Sequence, residues 1–119
     1  TFVAVPTKHR LLAPTLLRSQ VLTLLFEAVK RGELDRKHAT KQLDYLRALK
    51  VRLLGDRVLQ RVAWEIAEQL NWHDTFDAEY IALTRLQADA FITLNIDLAH
   101  AVHGIVHVGS VEDLTRVAR

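Results

Sequence analysis

The sequence predicts an α/β protein with three layers, α/β/α, and a mostly parallel central sheet. Short apolar runs of strand type, at residues 11–13, 51–54, 90–94 and 105–108, alternate with longer segments of helical spacing. Such alternation is typical of a parallel sheet covered by helices. The length of 119 residues is that of one domain, so we expect residues 1–119 to fold as a unit.

The first part of the chain predicts two strands followed by two helices. Residues 2–5 and 11–13 are the apolar runs, and Pro14 is expected at the first position of a long helix. Gly32 ends that helix and Asp35 caps the next. Only five residues separate the two strand runs, too few for the crossover that adjacent parallel strands require.

The middle of the chain predicts an edge strand and two further helices. Residues 51–54 are expected at a sheet edge because a charged side chain interrupts the apolar run. Asp56 and Thr75 are candidate N-caps of the third and fourth helices. Trp64 and Trp72 are expected to lie in the core or in a crevice wall.

The last part predicts a strand at residues 90–94, a helix at residues 96–103 and a strand-like run at residues 105–108. Ser110 with Asp113 has the spacing of a capping box for a final short helix. His100, His103 and His107 have a spacing that invites a zinc interpretation, but Gly104 ends the helix between the second and the third.

The charge is unevenly divided along the chain. Residues 30–61 carry ten Lys and Arg against four Asp and Glu, a net of +6, whereas residues 62–119 carry three against nine, a net of −6. One half can attract phosphates and the other can hold cations, although solvated helix faces explain the basic half equally well. The chain has no cysteine, which excludes disulfides and thiolate metal sites and fits a cytoplasmic protein. No apolar run approaches the length of a transmembrane helix, so no membrane partner is expected.

Polar side chains collect where the fourth predicted strand ends. Thr93, Asn95 and Asp97 lie there, and Asp77 in the first turn of the preceding helix could point to the same place. The carboxyl ends of parallel strands usually line a ligand crevice. The alternatives are structural: Asp77 can simply favour the helix dipole, and Asn95 and Asp97 can cap the helix that follows.

Two motifs resemble the second half of a PIN domain, the fold of the VapC-type toxin ribonucleases. They are Thr-Phe-Asp-Ala-Glu-Tyr-Ile-Ala-Leu at residues 75–83 and Thr-Leu-Asn-Ile-Asp-Leu-Ala at residues 93–99. Leu-Leu-Ala-Pro-Thr-Leu-Leu-Arg-Ser-Gln-Val at residues 11–21 resembles that family's second strand and the helix after it. The resemblance covers residues 11–110.

The resemblance implies about four acidic positions that hold Mg²⁺ or Mn²⁺ for RNA hydrolysis, and this chain departs from that pattern. Asp77 matches one acid, Gln20 stands where a helical Glu is implied, and Asn95 stands where an Asp is implied, with Asp97 two residues later. We therefore take these four as candidate metal ligands, Asp77 and Asp97 as candidate catalytic residues, and Thr93 and Asp74 as supporting residues.

The remaining acid that the resemblance implies is the first in chain order. It belongs to an opening strand, placed mid-sheet in the family, that has no counterpart of the usual form here. Residues 2–5 could substitute in an altered topology, another chain could fill the gap, or upstream residues could be lost.

Two functions follow from the resemblance. The first is a catalytically impaired PIN-like binding module for RNA, an antitoxin-like protein or itself. The second is an active Mg²⁺-dependent endoribonuclease toxin of a type II toxin–antitoxin system. The resemblance also implies homodimers and an antitoxin partner. An α/β domain that shares only short motifs is the remaining alternative.

Overall fold

A computed structural model describes residues 3–7, 10–49 and 51–110. The described part is a mixed α/β chain, and it groups into two compact units, residues 16–50 and residues 1–15 with 51–119. That residues 1–119 fold as one domain remains a prediction. In chain order the elements are β1 (Val3–Thr7), β2 (Arg10–Pro14), α1 (Leu16–Lys30), α2 (Arg36–Ala48), β3 (Val51–Leu54), α3 (Arg57–Gln69), α4 (Phe76–Gln87), β4 (Ile92–Thr93) and α5 (Ile96–Val102).

The sheet has the strand order β3-β2-β1-β4 and is mixed in direction. β2 and β3 pair in parallel, whereas β1 is antiparallel to both β2 and β4. β2, β3 and β4 therefore point the same way, with β1 running against them. The expected mostly parallel pairing is wrong for β1, because the short connection to β2 permits only a hairpin. β3 lies at the edge, as predicted.

Pro14 ends β2 instead of opening α1, which corrects its predicted position. It pairs with Leu54 of β3 and is buried, and the N–H of Thr15 still donates to the carbonyl oxygen of Leu54 at 3.2 Å. The sheet thus extends past the proline, and the helix begins two residues later, at Leu16. Proline is tolerated here because the pairs with β1 end at Leu12.

Short polar side chains start three of the helices as predicted. Asp35 accepts a hydrogen bond from the N–H of His38 at 2.7 Å, and Asp56 accepts one from the N–H of Leu59 at 2.8 Å. Thr75 occupies the predicted N-cap position of α4 but makes no side-chain cap bond. The caps at Asp35 and Asp56 therefore satisfy backbone donors that have no partner within the helix.

The core of the unit that contains the sheet is built mainly by α3 and α4. The buried α3 residues are spaced along one face, and α4 is buried almost all round between Ala78 and Thr84. Leu12, Phe91, Ile92 and Val102 complete this core. Trp64 and Trp72 are expected in the core or in a crevice wall. Trp64 is not in the core, since it is 64% exposed and its indole N–H donates to Glu68 at 2.6 Å, whereas Trp72 is half-buried.

Phe91, directly before β4, makes backbone contacts with the last described residues of the chain. Phe91 forms an isolated parallel bridge with Val108, donates its N–H to the carbonyl oxygen of His107 at 2.8 Å and accepts from the N–H of Gly109 at 2.8 Å. The run at residues 105–108 is thus a single bridge and not a strand. Asp113 lies outside the described residues, so the capping box with Ser110 stays a prediction.

The unit of residues 16–50 is a pair of helices, α1 and α2, with little buried surface. Among residues 16–49, only Leu17 and Ala39 are buried. Large side chains are exposed on both helices: Leu22, Leu24, Phe26 and Tyr45. None of the helices in residues 3–7, 10–49 and 51–110 has both the length and the apolar character needed to cross a bilayer.

Candidate functional site

The end of β4 is joined to the start of α5 by local hydrogen bonds. The hydroxyl oxygen of Thr93 accepts from the N–H of Asn95 at 3.1 Å, and the side-chain oxygen of Asn95 accepts from the N–H of Leu98 at 3.1 Å. Asp97 is exposed in the first turn of α5. The structural alternative for Asn95 is therefore present in the molecule, because Asn95 is the N-cap of α5.

A second polar group surrounds the start of α4. Asp74 accepts a hydrogen bond from the N–H of Phe76 at 3.1 Å, and Asp77 is half-buried one residue further into the helix. Burial raises the pKa of Asp77, and the nearby charge of Asp74 raises it further. Burial also raises the pKa of Glu79. This turn accumulates negative charge in a partly desolvated place.

Tyr80 continues this group into the core. Its side chain is 1% exposed, and burial raises the pKa of its hydroxyl well above the usual range, with Asp77 and Glu79 adding to the effect. The phenol therefore stays neutral and acts as an anchor of α4. In the sequence, Tyr80 stands out only as part of the motif at residues 75–83. Its burial shows that the aromatic ring packs in the core.

The candidate ligands lie on three elements of the chain: the first turn of α4, the junction of β4 with α5, and α1. The structure couples Asp77 with Asp74 at the start of α4, and it links Asn95 with Thr93 at the end of β4. Gln20 lies on α1, within the helical pair of residues 16–50. The predicted meeting of Gln20, Asp77, Asn95 and Asp97 at one rim stays a prediction.

Metal ligation requires several donor side chains at one place. Within the described ranges, no three His, Cys, Asp or Glu side chains group so that they could hold a metal ion. His100 and His103 are exposed at the end of α5, and His107 is exposed beyond Gly104.

A groove that the sequence did not predict lies where β2 and β3 end. It has a volume of about 500 Å³ and a mixed polar and apolar lining that includes Thr15, Leu54, Asp56, Leu83 and Gln87. A side chain at Gly55 would meet the Thr15 hydroxyl oxygen at 3.1 Å, so glycine keeps this end of the groove open. In the sequence, Gly55-Asp56 directly after the strand at residues 51–54 is a feature that could have indicated this groove.

The raised pKa of Asp77 predicts a specific dependence of stability on pH. The Asp77 carboxyl holds its proton more tightly in the folded chain than in the unfolded chain, where its pKa is near the ordinary value of 3.8. The stability of the wild type relative to Asp77→Asn should therefore fall as the pH rises from 3 to 7. Urea unfolding of both proteins across this range measures the difference.

The Asp74→Asn background provides the control for this prediction. Without the repelling charge of Asp74, the effect of pH on the Asp77→Asn difference should be smaller. The asparagine retains an oxygen that can accept from the N–H of Phe76. A wild type that gains stability over Asp77→Asn with rising pH would contradict the assignment.

Comparisons with known proteins identify no relative of this chain. No protein-family model, curated protein or solved structure matches the chain.

Proposed function

We propose that this chain is a PIN-like domain, related to the VapC toxin endoribonucleases, that has lost metal-dependent cleavage and acts as a binding module. Its partner would be RNA, an antitoxin-like protein or a second copy of the chain. The proposal includes the three-layer α/β/α arrangement of that family, with the opening strand replaced.

The observation that carries the loss of cleavage is the role of Asn95. The resemblance implies an Asp at this position, and the amide that replaces it caps α5 through its oxygen at 3.1 Å from the N–H of Leu98. The amide oxygen brings no negative charge. Mg²⁺ prefers carboxylates and retained waters in octahedral geometry. Asp77 is the one acid that matches the implied set of about four, and burial and the charge of Asp74 both raise its pKa.

Strand order supports the family part of the proposal. The resemblance implies an opening strand in mid-sheet, and β1 lies between β2 and β4, which point in the same direction. The replacement strand runs the opposite way because it enters through a hairpin. A strand in this position supplies backbone partners to both neighbours that would otherwise remain unpaired.

The alternative is an active Mg²⁺-dependent endoribonuclease toxin. The coupling of Asp74 and Asp77 favours it, because a divalent cation would relieve the repulsion between the two carboxylates. In that case Asp77 and Asp97 would hold the metal with help from Gln20 and Asn95. The metal would polarise the scissile phosphate and supply a hydroxide nucleophile.

Calorimetric titration with Mg²⁺ and Mn²⁺ separates the two functions. We expect flat heats for the wild type and for Asp77→Ala alike, and no cleavage of an RNA substrate in either metal. Asp89→Ala is the matched control, because it removes an exposed acid outside the candidate site. Micromolar binding by the wild type and the control that disappears in Asp77→Ala would establish the nuclease instead.

A further inference from the structure

One face of α2 presents cations and an aromatic ring in a single row. Lys37, Lys41 and Tyr45 follow one another at steps of four residues, so each lies about one helical turn from the next. His38 lies beside them, three residues before Lys41. All four side chains are exposed, and Tyr45 is 69% exposed. We call these four residues the α2 stripe.

The lysines of the stripe are free to bind an external anion. Within the described ranges, neither Lys37 nor Lys41 has a carboxylate oxygen within ion-pairing distance of 4.0 Å. Two other cations of the same helical pair are engaged, since Arg31 binds Glu33 at 3.0 Å and Arg47 binds Asp44 at 3.1 Å. The charge of Asp44, near Lys41 on the helix, is thus already balanced.

His38 of the stripe is paired with the acid that caps the helix, Asp35. The ring Nδ1 of His38 lies 2.7 Å from Asp35, and this contact, after the backbone bond from His38, lowers the pKa of Asp35. His38 is therefore held in place by the helix cap, and Lys37 and Lys41 are the members of the stripe available to an external anion.

Tyr45 is not needed for the packing of α2. The residues that turn inward on this helix are Ala39, Leu43 and Leu46, and Tyr45 lies on another side. Exposed aromatic rings between cations are typical of surfaces that bind single-stranded nucleic acid, because phosphates pair with the cations and bases stack on the ring.

We propose that the α2 stripe binds single-stranded nucleic acid, with Lys37 and Lys41 on the phosphate backbone and a base stacked on Tyr45. The axial distance between the lysines, about 6 Å for four residues of helix, allows contacts to different phosphates. This inference rests on the proposed function as a binding module and names its surface and ligand. The ring favours nucleic acid over an acidic peptide, which would use the cations alone.

The lysines are tested by the salt dependence of binding. Fluorescence anisotropy of the full chain with labelled 12-nucleotide oligouridylate or oligothymidylate is measured between 50 and 200 mM salt. In Lys37→Gln/Lys41→Gln the slope of log affinity against log salt should fall by about 1.4, because each phosphate contact contributes about 0.7 in single strands. Arg57→Gln/Arg85→Gln removes the same charge from exposed sites elsewhere and should leave the slope nearly unchanged.

The ring is tested separately. Tyr45→Ala should weaken binding roughly 5- to 150-fold, the equivalent of about 1–3 kcal/mol for one stacked base, while Tyr45→Phe keeps the ring and the affinity. Circular dichroism of each variant checks that the helices remain.

Three results would overturn the inference: equal affinity for a duplex of the same length, equal losses in the arginine control pair, or displacement of the oligonucleotide by polyglutamate at matched charge. Absence of any oligonucleotide binding would do the same. None of these results bears on metal binding by Asp77, so the loss of cleavage is judged independently by calorimetry.

Discussion

Replacing Phe91 with alanine should lower the free energy of unfolding by about 3–5 kcal/mol, the usual cost of truncating a buried phenylalanine. Its side chain is fully buried, and its backbone ties the chain to residues 107–109 through two hydrogen bonds of 2.8 Å. The loss is a large fraction of the 5–15 kcal/mol that typically stabilises a domain. Urea unfolding followed by far-ultraviolet circular dichroism measures it.

Leu94→Ala is the matched control for this variant. Leu94 follows the same strand but is 77% exposed, so its truncation should change the free energy of unfolding by less than about 0.5 kcal/mol. If both variants lost the same stability, the assignment of Phe91 to the core beside residues 107–109 would be wrong.

Restoring the two missing carboxylates should create affinity for divalent cations. We expect Gln20→Glu/Asn95→Asp to bind Mn²⁺ roughly 10- to 1,000-fold more tightly than the wild type, because one charge pair at 4 Å contributes up to about 4 kcal/mol near a protein surface. An aspartate can still accept the cap bond from the N–H of Leu98. Calorimetry with Mn²⁺, compared with the same titration of the wild type, measures the gain.

Gln60→Glu/Asn71→Asp is the control for this gain. It makes the same chemical changes at two exposed positions that do not belong to the candidate site. The control should leave Mn²⁺ binding at the level of the wild type. A restored variant that binds no better than the control would mean that these positions do not converge on Asp77, which removes the main support for the PIN relationship.

Local features of the site were predictable because their contacts lie a few residues apart. The caps at Asp35, Asp56 and Asn95 follow from residue type, since each side chain reaches an N–H only three positions ahead. The sequence also contains the reason for the antiparallel hairpin, because a short connection cannot cross over. It could not assign β1 a place between β2 and β4.

Features that depend on distant parts of the chain were not predictable in the same way. Trp64 has a large, mostly apolar side chain, yet it lies on the solvent side of α3. The reason is that Val62 and Ile66 occupy the side of the helix that packs against α4. The groove beside Gly55 arises where three segments that are distant in the chain meet, at residues 15, 53–59 and 83–87. The α2 stripe has a regular spacing in the sequence, but its value as a binding surface depends on the exposure of Tyr45.

By itself, the sequence determined the α/β class, most helix starts and the shortage of acids at the positions where the resemblance implies them. Hydrophobic periodicity and capping are interactions within one segment, so they can be read without the fold. Only the tertiary structure decided the direction of β1 relative to β4, the burial of Tyr80 and the raised pKa of Asp77. These properties depend on which segments meet in space and on how much water they exclude.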